Sequence, residues 1–388
     1  MSSRHVSRLV DSIPPSGIRK FFDIVTSMPD AISLGVGEPD FITPWKISDS
    51  GIYAIKDGYT HYTPNRGIPE LLSILSQDIH TRYKVDYDPQ RDMIITVGVS
   101  QALDITLRTL INPGDEIIVF EPCYVSYKSN ISLAYGTPVI LQTDFGSGFQ
   151  INIDQLKNAI SDKTKAILLN YPSNPSGMNI DFMVLQQIAD LATEHDFVII
   201  ADEIYSSITY ENTHRSIIEF PGMKERTVYL NGFSKSYAMT GWRLGYTAGP
   251  EEIISAMLKI HQYTALCAPS MAQYAAVEAI KNGELDLQNM EREYTRRRNF
   301  ITKRFNEIGL RCLKPQGAFY VFPNISSTGL TSEEFALQLL QKHKVAVIPG
   351  SVFGTSVSDH IRCSFATSFE NIAEAMNRIE AFVTSIVH

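Results

Sequence analysis

The chain reads as an α/β protein: a mostly parallel, doubly wound central sheet with a smaller α+β domain built from both chain ends. Three observations predict this. Between about residues 90 and 250, short apolar runs alternate with amphipathic stretches. Those runs are continuous rather than alternating, as in strands buried on both faces. The first 45 residues and those after 282 lack this rhythm.

Taken in order, Met93–Val97, Glu116–Phe120, Ala166–Asn170, Phe197–Ala201 and Thr227–Asn231 read as strands. Among the helical stretches, 181–195 places Phe182, Leu185, Ile188, Ala189 and Ala192 on one stripe, the spacing of a helix face. Strand–helix alternation implies a parallel sheet. Further on, 284–308 reads as a long charged helix. Strands at Phe319–Phe322, Lys344–Ile348 and His360–Phe365 follow, then a C-terminal amphipathic helix. The expected division is 1–45 as an N-terminal arm and part of the small domain, 46–281 as the large domain and 282–388 as the small C-terminal domain.

With 388 residues, 44% hydrophobic and 20% charged, the composition excludes collagen-like, coiled-coil and largely disordered architectures. A net charge of −8 argues against a nucleic-acid-binding surface. Cys123, Cys267, Cys312 and Cys363 form no CxxC pair, and no histidine cluster stands near them at metal-ligand spacing. They read as small buried apolar residues in a reducing compartment, with no metal expected. The N-terminus lacks the apolar core of a signal peptide, and no apolar run approaches the ~20 residues of a membrane helix. A cytoplasmic protein without a membrane partner is the expectation.

Ligands of doubly wound sheets bind beyond the carboxyl ends of the strands. Four of the five strands end there in unusual polar residues. Gly98-Val99-Ser100-Gln101 turns a strand into a helix N-terminus, where free N–H groups suit a phosphate. Asn174 lies in a loop with two prolines and a glycine, Asp202 follows four apolar residues, and Lys235 and Arg243 share a short stretch with three glycines. Singly, each has a plain structural reading as turn former, rim carboxylate or surface charge. Together, a lysine, a carboxylate, a phosphate-binding helix N-terminus and an arginine are what pyridoxal phosphate requires.

The stretch Ser234-Lys-Ser-Tyr-Ala-Met-Thr-Gly-Trp-Arg-Leu-Gly245 resembles the lysine signature of class I pyridoxal-phosphate-dependent aminotransferases. The resemblance spans nearly the whole chain. It takes in Ser33–Phe41, Tyr62–Gly67, Asn174–Gly177, Asp202–Tyr205 and Ile361–Phe365, in the family's order. It implies that Lys235 forms the Schiff base with the cofactor and that Asp202 pairs with its pyridine nitrogen. Tyr205 and Asn174 are implied to bond its phenolic oxygen, and Tyr124 to stack on its ring. The backbone at Val99 and Ser100, with Ser234 and Arg243, would hold the phosphate. Tyr62 matches a tyrosine that reaches the phosphate of a neighbouring subunit, which implies a homodimer with shared active sites. Arg362, with the Gly37 backbone and Asn174, matches the grip on the substrate α-carboxylate. The sequence departs from the family's pattern at Ser176, at Val99 and at Cys123, to which no function is attached.

The implied activity is transfer of an amino group between an L-amino acid, acidic or aromatic, and a 2-oxo acid, with 2-oxoglutarate as the expected acceptor. The nearest branch holds aspartate, aromatic and acetyl-diaminopimelate aminotransferases. A lyase catalysing β-elimination with the same cofactor is the alternative. A cofactor-sensing regulator would need a DNA-binding module ahead of the Gly37 motif, which lies within the first 40 residues. Arg19 and Arg66 are candidates for a distal carboxylate of the substrate.

Overall fold

The computed structural model describes residues 5–18, 28 and 30–387. A first short strand, Ile32–Ser33 (β1), lies outside the main sheet. Seven strands make that sheet: Met93–Thr96 (β2), Glu116–Glu121 (β3), Thr137–Gln142 (β4), Thr164–Asn170 (β5), Val198–Asp202 (β6), Thr227–Gly232 (β7) and Gly245–Ala248 (β8). Their order is β2-β8-β7-β6-β5-β3-β4. All run parallel except β8, which lies antiparallel to both neighbours.

The continuous apolar runs have a direct cause. Ile167, Leu169 and Ile199 enter the core on one face of the sheet, while Leu168 and Ile200 enter the core on the other. Successive side chains of a strand point to opposite faces, so a strand covered on both sides has no polar position. Two strands lacked that signal. The edge strand β4 is half-exposed and carries Pro138, which fits an edge. Strand β8 is four residues, Gly-Tyr-Thr-Ala.

The remaining strands are Tyr320–Val321 (β9), Val345–Ala346 (β10), Ile348–Pro349 (β11) and Ile361–Ser364 (β12). The single strand expected over Lys344–Ile348 is thus two. Its first part pairs parallel with β1, and its second joins the antiparallel sheet β11-β12-β9. Around them lie the helices Glu284–Glu307, Ser332–His343 and Phe369–Val387. Their shared core joins Leu34 from the N-terminal side to Phe305, Phe335, Ile361 and Phe382. Ile204 and Tyr205, just past β6, belong to the same core and tie it to the main sheet.

Two adjacent arginines of the helix Glu284–Glu307 strengthen that tie. Arg297 Nη1 donates to Asp40 Oδ1 at 2.7 Å, and the buried Arg298 meets both carboxylate oxygens of Glu211 at 2.7 and 2.8 Å. Cys123, Cys312 and Cys363 are buried, whereas Cys267 is only partly so. Among the described residues no helix is long and apolar enough to cross a membrane.

Candidate active site

The carboxyl ends of the parallel strands converge on a cavity of about 440 Å³. Past β2, Gly98 takes φ +72°, a left-handed conformation that glycine adopts without penalty. The helix Gly98–Leu110 starts there, and no side chain caps its N-terminus. A Cβ at Gly245 would lie 2.7 Å from the backbone of Gly98 and Val99, so glycine at the start of β8 lets this turn lie flat against it. A Cβ at Gly98 would meet Arg243 Nη2 at 2.8 Å, so the guanidinium rests on the glycine. Arg243 itself has φ +53°. The result is a cradle of backbone N–H groups beside a guanidinium, suited to a dianion.

Past β7, the short helix Phe233–Ser236 presents Ser234 and Lys235. Lys235 Nζ donates to the Gly37 carbonyl at 2.8 Å. Burial pushes the amine down to about 8; Arg362 and Arg243 push the same way, while Glu38 and Asp202 oppose them. Asp202, at the end of β6, accepts a hydrogen bond from Tyr127 Oη at 2.8 Å and one from Ile204 N at 3.3 Å. Burial raises its carboxyl to about 6, and the Tyr127 bond is the largest opposing influence. The neighbouring Glu203 is held elsewhere, by Ser216 Oγ at 2.6 Å and His214 Nε2 at 2.7 Å.

Arg362, on β12, is 2% exposed. Its Nη1 donates to Asn174 Oδ1 at 2.9 Å and its Nη2 to the Gly35 carbonyl at 2.7 Å, while Nε has no protein partner. A buried donor without an acceptor is an invitation to a ligand. Because Asn174 Oδ1 faces Arg362, the amide nitrogen remains available as a donor. Asn170 holds this arrangement together: its Nδ2 donates to the Asp202 carbonyl at 2.9 Å, and its Oδ1 accepts from Asn174 N at 3.2 Å.

Of the residues expected from sequence, Gly37, Val99, Ser100, Tyr124, Asn174, Asp202, Tyr205, Ser234, Lys235, Arg243 and Arg362 all line this cavity. Tyr62 does not, and is 83% exposed. Arg66 does not line the cavity either: its Nη1 donates to the carbonyls of Arg91 and Met93 at 3.0 and 3.2 Å. Arg19 lies outside the described residues. Tyr127, Tyr320, Glu38 and Thr240 line the cavity without having been singled out. Tyr320 stands inside the stretch Phe319–Phe322, whose sequence pattern reads only as a strand.

These donors fit pyridoxal phosphate. A buried amine, a buried carboxylate, an uncapped glycine-bounded helix N-terminus with its guanidinium, and a second guanidinium with a free N–H meet in one cavity.

The profile of the family described as aminotransferase class I and II matches residues 29–379. An aspartate aminotransferase of Pyrococcus abyssi (strain GE5 / Orsay) is 43% identical over 97% of both chains. Aromatic-amino-acid aminotransferase 2 of Thermococcus litoralis is 41% identical, again over 97% of each. The solved structure of aspartate aminotransferase from Thermus thermophilus with maleate superposes with a TM-score of 0.93 at 35% identity, covering 98% of this chain and 100% of that one. The chain therefore belongs to the class I and II aminotransferases, enzymes whose cofactor is pyridoxal phosphate.

Proposed function

We propose that this aminotransferase moves an amino group from an acidic or aromatic L-amino acid to a 2-oxo acid, with 2-oxoglutarate as acceptor. The observation that carries the reading is the placing of Lys235, its amine lowered to about 8, in one cavity with Asp202 and the incompletely bonded Arg362. Relatives named for aspartate and for aromatic amino acids support the substrate class.

When bound, pyridoxal phosphate supplies an aldehyde that condenses with amines and a ring that takes up electron density from the substrate Cα. Lys235 Nζ is the protein amine that would hold that aldehyde, and its neutral amine would move the proton at the substrate Cα. Asp202, raised to about 6 and so ionised at neutral pH, would keep the proton on the pyridine nitrogen. Tyr205 Oη and Asn174 Nδ2 would donate to the phenolic oxygen, and Tyr124 would pack against the ring. The N–H groups at Val99 and Ser100, with Ser234 and Arg243, would hold the phosphate. Arg362 presents a planar fork to the α-carboxylate, which fixes the Cα–H bond relative to the ring, helped by Asn174 and the Gly37 backbone.

The same reading makes the protein a cytoplasmic homodimer in which Tyr62 reaches the phosphate of the neighbouring subunit. Trp45, Tyr53, Ile55 and Tyr263 stand 69%, 63%, 54% and 92% exposed, apolar surface that a second copy would cover. It also takes 1–45, 46–281 and 282–388 as arm, large domain and small domain.

The test is Lys235→Ala with a screen of amino donors against 2-oxoglutarate and pyruvate. Acidic and aromatic donors should react only when the acceptor is present, and the variant should lose both turnover and the visible absorption of lysine-bound cofactor. Sustained multiple turnover by the variant would sink the assignment, and product formation without acceptor would point to elimination.

A further inference from the structure

Tyr320 touches three of the residues to which the proposed function gives roles, and has itself been given none. We infer that Tyr320 is a positioning residue that acts in two ways: its hydroxyl supports Tyr205, and its ring supports Arg362. The inference rests on the roles proposed above for those two residues.

The register of the small sheet sets the first half of the argument. Strand β9 pairs with β12 so that Tyr320 stands opposite Ser364. Arg362 is two residues along β12 and so lies diagonally from Tyr320 on the same face, within reach of long side chains. The guanidinium carbon sits 4.5 Å from the Tyr320 ring centroid, over the negative face of the ring. Asn174 and Gly35 hold the two terminal nitrogens, the Phe353 ring lies 4.9 Å from the guanidinium carbon, and the Tyr320 ring is the nearer of these two aromatic walls that keep the fork in one plane.

The second half concerns the hydroxyl. Tyr320 Oη and Tyr205 Oη are 2.8 Å apart, and both residues are buried. A buried phenol needs a partner, and each finds it in the other. A hydroxyl whose oxygen accepts a hydrogen bond becomes a better donor. When Tyr205 donates to a third oxygen, Tyr320 is placed to donate to Tyr205. Gly37 fits the same account: a Cβ there would lie 2.4 Å from Tyr320 Oη, so a glycine at this point leaves the hydroxyl its place.

The experiment is a pH titration of the visible absorption of the holoenzyme, made for wild type, Tyr320→Phe, Tyr205→Phe and the double variant. Donation by Tyr205 favours the anionic form of the cofactor's phenolic oxygen. Weakening it keeps a proton on the cofactor to higher pH. Tyr320→Phe should therefore raise the titration midpoint by about 0.5 pH unit or more, on the scale of part of one hydrogen bond. It should add nothing further in the Tyr205→Phe background, because the effect passes through Tyr205. The ring stays over Arg362 in this variant, so KM for the amino acid should stay within about twofold of wild type. Tyr320→Leu removes the ring as well and should raise that KM by about tenfold, the scale of a lost cation–π contact with loss of orientation. An unchanged midpoint in Tyr320→Phe, or an equal shift in the Tyr205→Phe background, overturns the hydroxyl role. An unchanged KM in folded Tyr320→Leu overturns the ring role. Failure of the underlying reading looks different: wild type would then show no visible band that depends on Lys235, and the role of Tyr320 would fall with it.

Discussion

At pH 7.5 an ordinary lysine is neutral in about one molecule in a thousand. Lowered to about 8, Lys235 is neutral in roughly a quarter. The sign follows from linkage. A base whose folded-state value lies below its unfolded value binds fewer protons when folded, so the apoprotein gains stability as pH rises from about 8 towards about 10.4. Capture of pyridoxal phosphate by the apoprotein needs the neutral amine. Its rate, followed by stopped-flow absorption, should rise with pH and level off just above pH 8. A rate still climbing steeply at pH 10 would contradict the buried environment. At this scale the sequence was legible wherever a charged or amide side chain stood at a strand end: Asp202, Asn174 and Lys235 are conspicuous against the apolar runs before them. Tyr127 was illegible because nothing in its sequence neighbours, Ser126 and Lys128, marks a partner, and Tyr320 because an aromatic in an apolar run has a sufficient explanation as core. Only the tertiary structure shows that their hydroxyls meet Asp202 and Tyr205. Arg66 is the converse case, since its bonds to the backbone carbonyls of Arg91 and Met93 leave no mark in sequence.

Among elements, the strands buried on both faces were legible because burial itself writes the pattern. Strand β8 was not, since its glycine and short length answer to the turn packed against it. That dependence is testable. Gly245→Ala places a methyl 2.7 Å from the Gly98–Val99 backbone, which must move. We expect a loss of ~1–3 kcal/mol in apoprotein stability, the range for overpacking. Cofactor affinity should fall at least about tenfold, since the displaced N–H groups are those assigned to the phosphate. Thermal denaturation and cofactor titration measure the two. Gly241→Ala is the control, because nothing lies within 4 Å of a Cβ there, and it should change neither. Equal behaviour of the two variants would refute the packing argument.

For the molecule as a whole, the cavity draws on both chain ends: Gly37 comes from the N-terminal side, Arg362 from β12 and Lys235 from the main sheet. Tyr62 is exposed and outside the cavity of its own chain, and under the proposed reading it would complete the site of a second copy. Mixtures of Tyr62→Phe and Lys235→Ala proteins, each impaired alone, should regain activity through hybrid dimers with one intact site. No recovery after confirmed subunit exchange would count against shared sites. The motif order made the catalytic unit legible from sequence. The distances between motifs were not, because they depend on a strand order that no local pattern records.

The reversal of β8 has one more consequence. Because that strand runs backwards, the chain that leaves the sheet after β7 comes back in at the same edge, with no crossover helix between. Lys235 and Arg243 are thus anchored at the two ends of one local loop, whose closure asks little of chain entropy. The gap between the Lys235 amine and the Arg243 guanidinium is the property of a nine-residue segment. Insertions in distant loops and repacking of outer helices can accumulate without altering it, which leaves the rest of the scaffold free to diverge around a fixed pair of charges.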